Sequence, residues 1–204
     1  MGMKESSDEL STRMTSTTVA VSPARMGFVD YAALAFSTWG VGFIPFAPGT
    51  WGSLVGVWIF LLLRAGLTRS VLAYSMNHRV SALQIEAFNT TVILGIVLLI
   101  SLAGVRAATR AERFFKRKDP GAVVVDEVAG QLITFMFLPL GVDIDTWILV
   151  AGFLLFRAFD IWKPYPARRL ESLESGLGVM ADDIVAGAYS AAALSAIIIT
   201  KSLI

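Results

Sequence analysis

Residues 87–105 read AFNTTVILGIVLLISLAGV, nineteen consecutive positions without a charge. As an α-helix this run rises about 28 Å, close to the hydrocarbon thickness of a bilayer. Backbone groups in lipid must find partners within the protein, so an uncharged run of this length belongs to a membrane helix. Four shorter or charge-interrupted runs, 51–67, 123–140, 146–162 and 184–199, bring the candidate spans to five. A further apolar stretch, 27–46, holds Asp30 and stops at Pro45 and Pro48, which suits a re-entrant or interfacial helix as well as a span. The expected fold class is all-α: a polytopic membrane helical bundle of about four to six membrane helices, one of them re-entrant if 27–46 does not cross.

Composition supports this and removes several function classes. Hydrophobic residues make up 55% of the 204 positions and charged ones 16%, against about 25% charged in soluble domains. A net charge of +1 leaves no basic excess to neutralise a strand of phosphates, which argues against nucleic-acid binding. The chain has no cysteine, so disulfides, Cys-ligated zinc and Cys-dependent phosphatase chemistry are excluded. Its single histidine, His78, lies in a polar stretch with Arg79 and Glu86 and reads as a solvated surface residue. Residues 1–25 are rich in Ser and Thr with mixed charges, and read as a disordered tail. Residues 26–204 are expected to form one integral-membrane domain.

The segment RAATRAERFFKRK, 106–118, carries six Lys or Arg and is expected in the cytoplasm. Counting spans outward from it leaves the loop 141–145 outside with no basic residue, and Lys163, Arg168 and Arg169 inside. On this map four polar clusters reach the cytoplasmic side: the turn APGTWGS (47–53), Asp126 with Glu127, Asp160 with Lys163, and Asp182 with Asp183. Charges at membrane depth are costly, and partners are expected for them.

DEVAG (126–130) and DDIVAG (182–187) each place a glycine four residues after an acid, on the same helix face. Small residues there let helices approach closely. With Asp160, up to five carboxylates would gather, and oxygen-only ligands of this kind suit Mg²⁺. The alternative is that the acids cap helices or pair with Lys163 and the arginines. In FRAFDIWKPYPARRL (156–170), Lys163 and Arg168 or Arg169 can hold a phosphate, or simply anchor the helix end at the membrane surface. In APGTWGS, Pro48 and Gly49 form a turn and Thr50 or Ser53 can cap the next helix; its N–H groups offer a phosphate cradle or an ordinary cap. Arg106, Arg110, Arg113 and Arg117 form one helical stripe suited to anionic headgroups. VDIDT (142–146) matches a phosphatase nucleophile motif of soluble α/β domains, but falls in a loop on the opposite side and is rejected.

Taken in order and spacing, APGTWGS, DEVAGQ, FRAFDIWKPYPARRLE and GLGVMADDIVAG resemble the phosphatidylglycerophosphatase A family over roughly residues 35–200. The resemblance implies a Mg²⁺-dependent enzyme of the bacterial cytoplasmic membrane. Its anionic phospholipid substrate would be phosphatidylglycerophosphate, and its products phosphatidylglycerol and inorganic phosphate. It implies metal-site or catalytic roles for Asp126, Glu127, Asp160, Asp182 and Asp183. It also implies phosphate contacts at Gly49, Thr50, Lys163 and Arg168. Two rivals remain. A CDP-alcohol phosphotransferase would need its acids along one stretch, which is absent, and a small Mg²⁺ or anion transporter would need acids at mid-span, where none falls.

Overall fold

The computed structural model describes residues 27–141 and 143–203. The tail expected at 1–25 lies outside the described residues. Seven α-helices and one 3-10 turn make up the described fold, with no strand among the described residues. They are α1 (Phe28–Thr38), the 3-10 turn Val41–Phe43, α2 (Pro48–Ser75), α3 (Ala82–Phe115), α4 (Val125–Thr134), α5 (Thr146–Trp162), α6 (Ala167–Leu170) and α7 (Ser175–Ser202). The all-α expectation is met. Three helices, α2, α3 and α7, are long and apolar enough to cross a membrane. The 17-residue α5 occupies the expected stretch and rises about 25 Å.

One expected span takes a different form. Residues 123–140 hold no continuous helix: α4 has ten residues and rises only about 15 Å. The chain then continues through turns at Phe135–Leu138. Irregular backbone is tolerated at membrane depth where protein, not lipid, surrounds it. α4 packs against α7, α2, α3 and α5, and of the turn residues beyond it Phe135 and Leu138 are buried while Phe137 and Pro139 are exposed. Every residue of α4 except the half-buried Glu127 is buried, and Phe135 beyond it is fully enclosed. At the far end Arg64 donates to the carbonyls of Pro139 (2.8 Å) and Leu140 (3.1 Å), while the Glu86 carboxylate accepts the Leu140 N–H at 3.0 Å. The backbone groups freed by the helix break thus find side-chain partners.

The stretch 27–46 forms no helix long enough to span on its own. Its helix α1 has eleven residues, about 16 Å of rise, and lies along α3, where Asp30 reaches Arg110 at 3.9 Å. The Val124 N–H donates to the Ser37 carbonyl at 2.8 Å, tying α1 to the entry of α4. Phe28, Tyr31, Phe43 and Phe46 all face outward, as aromatic residues at a membrane boundary do.

Two apolar clusters hold the bundle. Phe60, Ile93, Val97, Leu132, Phe135 and Leu194 fill the middle. Ala108, Ala111, Val125, Ala129 and Met180 pack nearer the entry of α4. Trp58, Leu62, Leu94, Leu98 and Leu99 are exposed, as an apolar surface facing acyl chains would be. The start of α2, the end of α3, the start of α4, the end of α5 and the start of α7 meet at one end of the bundle, around a shared cavity. His78 follows the other end of α2, where it is exposed and stacks on Tyr74.

Candidate active site

The floor of the cavity depends on two glycines. A Cβ on Gly187 of α7 would lie 3.0 Å from the Gly130 Cα of α4, and a Cβ on Gly130 would lie 2.7 Å from the Asp183 carbonyl. The two backbones touch at the glycines that follow each acid by four residues. This contact carries Asp126 and Asp183 toward each other one helical turn nearer the opening. Oxygens of Asp126, Glu127 and Asp183 lie within 4.8 Å of one another. Asp126 and Asp183 are 8% and 3% exposed.

Carboxylates this close repel unless a cation or proton joins them. Asp126 Oδ1 and Glu127 Oε2 are buried without a hydrogen-bond partner. A hard cation with oxygen preference would complete both atoms, so the donor set fits Mg²⁺.

The other two expected acids have cationic partners. Asp160 Oδ2 sits 2.6 Å from Arg157 Nη1, and Asp182 Oδ2 sits 2.7 Å from Lys163 Nζ. Lys163 also reaches Glu171 at 3.1 Å. Burial alone lowers an ammonium pKa; here the hydrogen bonds and charges of Asp182 and Glu171 outweigh it and hold Lys163 above its ordinary value. Adjacent acids on α7 therefore have different partners. Asp183 faces the α4 acids and Asp182 faces the end of α5, because neighbouring helix positions differ by about 100°.

The cavity has a volume of about 690 Å³, and its walls include Gly49, Asp126, Glu127, Asp160, Lys163, Arg168, Asp182 and Asp183. Eight of the nine residues singled out from the sequence therefore line one space. Thr50 does not. The helix it was expected to cap already begins at Pro48, and the Thr50 N–H donates to the Ala47 carbonyl at 2.9 Å. Ser53 does not cap either: its hydroxyl donates to the Gly49 carbonyl at 2.9 Å. Gly49 is a glycine for a packing reason, since a Cβ there would run into the Glu127 carboxylate and lie 3.1 Å from Arg157 Nη1. Between the two candidate arginines, Arg168 faces the cavity while Arg169 lies over the Tyr165 ring, 5.7 Å from its centroid.

Sequence reasoning missed Arg157, Arg117, Lys118, Asp119 and Glu171 as cavity residues. Arg157 left a signal: it is a cation within an apolar run, three residues before an acid and so on the same helix face. Arg117 and Lys118 were legible only as part of a surface stripe and a basic segment.

A model of the family phosphatidylglycerophosphatase A matches residues 34–198. A Bacteroides thetaiotaomicron protein, provisionally named a phosphatidylinositol-3-phosphatase, is 39% identical over 153 residues, covering 74% of this chain and 83% of its own. The phosphatidylglycerophosphatase A of Escherichia coli is 33% identical, over 76% of each chain. That of Haemophilus influenzae is also 33% identical, over 78% of this chain and 83% of its own. No solved structure matches the chain with significance.

Proposed function

The chain belongs to the phosphatidylglycerophosphatase A family, and from that premise we propose that it hydrolyses the distal phosphate of phosphatidylglycerophosphate with Mg²⁺. The products are phosphatidylglycerol and inorganic phosphate. We place this step in phospholipid synthesis, at the cytoplasmic face of a bacterial inner membrane. Residues 26–204 act as one membrane domain. The observation that carries the reading is the trio of buried Asp126, half-buried Glu127 and buried Asp183, with orphaned oxygens on Asp126 and Glu127, set among cations in one cavity.

In this reading Asp126, Glu127 and Asp183 hold the metal. Bound there, Mg²⁺ would supply Lewis-acid polarisation of the phosphoryl group and a more acidic water. Arg157 and Lys163 face the space where negative charge develops and neutralise it without reorganising, since each is already held by an acid. Asp160, outside the metal trio but on the cavity wall, accepts the proton of the attacking water. Asp182 keeps Lys163 in place. The cytoplasmic orientation rests on charge: the basic segment 106–118, Lys163, Arg168 and Arg169 lie at the cavity end, while the far loop 135–145 has no basic residue.

The test is phosphate release from phosphatidylglycerophosphate by detergent-purified protein, with Mg²⁺ and with EDTA, beside Asp126→Asn. Release that needs Mg²⁺ and disappears in the variant supports the reading. Folded protein that releases no phosphate under any metal sinks it. Phosphatidylinositol 3-phosphate belongs in the same assay, because the Bacteroides relative is named for it. Both headgroups carry a phosphomonoester beyond a phosphodiester.

A further inference from the structure

The cations of the cavity are sorted by depth. Its floor holds the buried acids, with Arg157 and Lys163 already committed to Asp160 and Asp182. Its mouth holds Arg117, Lys118 and Arg168 together with the acids Asp119 and Glu171, all exposed. None of these three cations lies within 4.0 Å of a carboxylate oxygen among the described residues, whereas both floor cations do. Lys118 Nζ instead donates to the Glu171 carbonyl at 3.3 Å, which holds the ammonium across the opening between the end of α3 and the segment after α6. Acids lacking a cation thus lie below cations that make no salt bridge, with the carboxylates of Asp119 and Glu171 beside them at more than 4.0 Å.

A space of about 690 Å³ is also far larger than one phosphate needs, since a water molecule takes about 30 Å³ of liquid volume. It has room for an anion with two separate phosphates, one on the floor and one at the mouth.

We propose that Arg117, Lys118 and Arg168 clamp the phosphodiester of the lipid headgroup while its terminal phosphomonoester occupies the floor. The clamp makes the enzyme selective for lipids with two phosphates in series over phosphatidic acid, whose single phosphate would engage the floor alone. This rests on the phosphatase reading above. Guanidinium groups suit the task, because their fork geometry matches phosphate oxygens and stays charged at any working pH. General attraction of the basic helix end to an anionic surface would raise turnover of every anionic lipid alike and gives no such selectivity.

The deciding measurement is kcat/KM for phosphatidylglycerophosphate and for phosphatidic acid, in mixed micelles of matched charge. It is made on the full protein, on Arg168→Gln and on Arg117→Gln/Lys118→Gln. The wild type is expected to prefer the two-phosphate lipid. In each variant that preference ratio is expected to fall at least about tenfold, the size of one lost charge-assisted contact, mainly through KM. Arg168→Lys is expected to keep part of it. A ratio unchanged in the variants overturns the clamp, whether both rates fall together or neither does. So does a wild type that turns over phosphatidic acid equally well, although that result leaves the phosphatase reading intact. A folded wild type that releases phosphate from neither lipid removes the phosphatase reading and the clamp with it. Unaltered thermal unfolding of the variants separates lost contact from lost fold.

Discussion

Arg157 Nη1 and Asp160 Oδ2 lie 2.6 Å apart, three residues from each other on α5, with side chains only 19% and 14% exposed. The pair couples the stability of α5 to the chemistry of the cavity. Removing one partner leaves the other charge in a poorly solvated site, whereas removing both leaves none.

Arg157→Ala is therefore expected to destabilise the folded protein by about 3 kcal/mol. The double substitution Arg157→Met/Asp160→Leu is expected to recover most of that loss without restoring activity. Denaturation in mixed micelles together with phosphate release checks both halves. A double variant as unstable as the single one would show that the pair is not the cause.

Asp126→Asn and Asp183→Asn are expected to lower phosphate release at least a hundredfold, more than the roughly 10–100-fold typical of residues that only support metal ligands. Wild-type melting temperature is expected to rise with added Mg²⁺, because a ligand bound only by the folded state stabilises it, and the Asn variants are expected to lose that rise. Scanning fluorimetry across a Mg²⁺ titration reads this without any turnover. An undiminished rise in Asp126→Asn would place the ion elsewhere.

Gly187→Ala forces a methyl group to within 3.0 Å of the Gly130 backbone. An overpacked backbone contact costs about 1–3 kcal/mol, and here it also separates the acids, so stability and activity are expected to fall together. Gly95→Ala is the control. Nothing lies within 4 Å of a Cβ there, and α3 is expected to gain up to about 1 kcal/mol of helix propensity. Thermal unfolding of the two variants should move in opposite directions.

Lys163 has a folded-state pKa above its unfolded value of 10.5. Its contribution to stability is fully present below that value and is lost only as pH rises through the higher folded value. Between about pH 7 and pH 10 the pH–stability curves of the wild type and of Lys163→Arg, which cannot deprotonate, are expected to run parallel. A wild-type decline in that window that Lys163→Arg does not share would mean that the ammonium is losing its proton early.

The parts of the site legible in the sequence were those where a charge interrupts an apolar run. Asp126, Glu127, Asp160, Asp182 and Asp183 identified themselves this way, and the glycine four residues after two of the acids pointed to the α4–α7 contact. The allocation of the acids was not legible. Asp182 and Asp183 are neighbours with the same chemistry, and only the rotation of α7 decides which of them meets Lys163. The break after Thr134 was hidden as well. The turn FMFLPL is as apolar as a helix would be, with Phe135 and Leu138 buried and Phe137 exposed, so it continues the apolar run of the preceding residues. Arg64, which donates to the Pro139 and Leu140 carbonyls, lies 75 and 76 residues away from them in the chain, and Glu86 lies 54 residues from Leu140.

The enclosure of α4 also fixes an order of events during synthesis. A ten-residue helix bearing Asp126, Glu127 and Gln131 is a poor candidate for independent entry into lipid, where each central charge costs about 2.5–3.5 kcal/mol. The long apolar helices α2 and α3 precede it and can anchor first, but α7, which covers its other side, emerges from the ribosome only after it. Until then α4 has no finished berth, and a nascent chain halted before Ser175 would be anchored in the membrane yet lack the floor of its own cavity. Biogenesis must therefore hold a half-sheltered acidic segment at the membrane until α7 arrives.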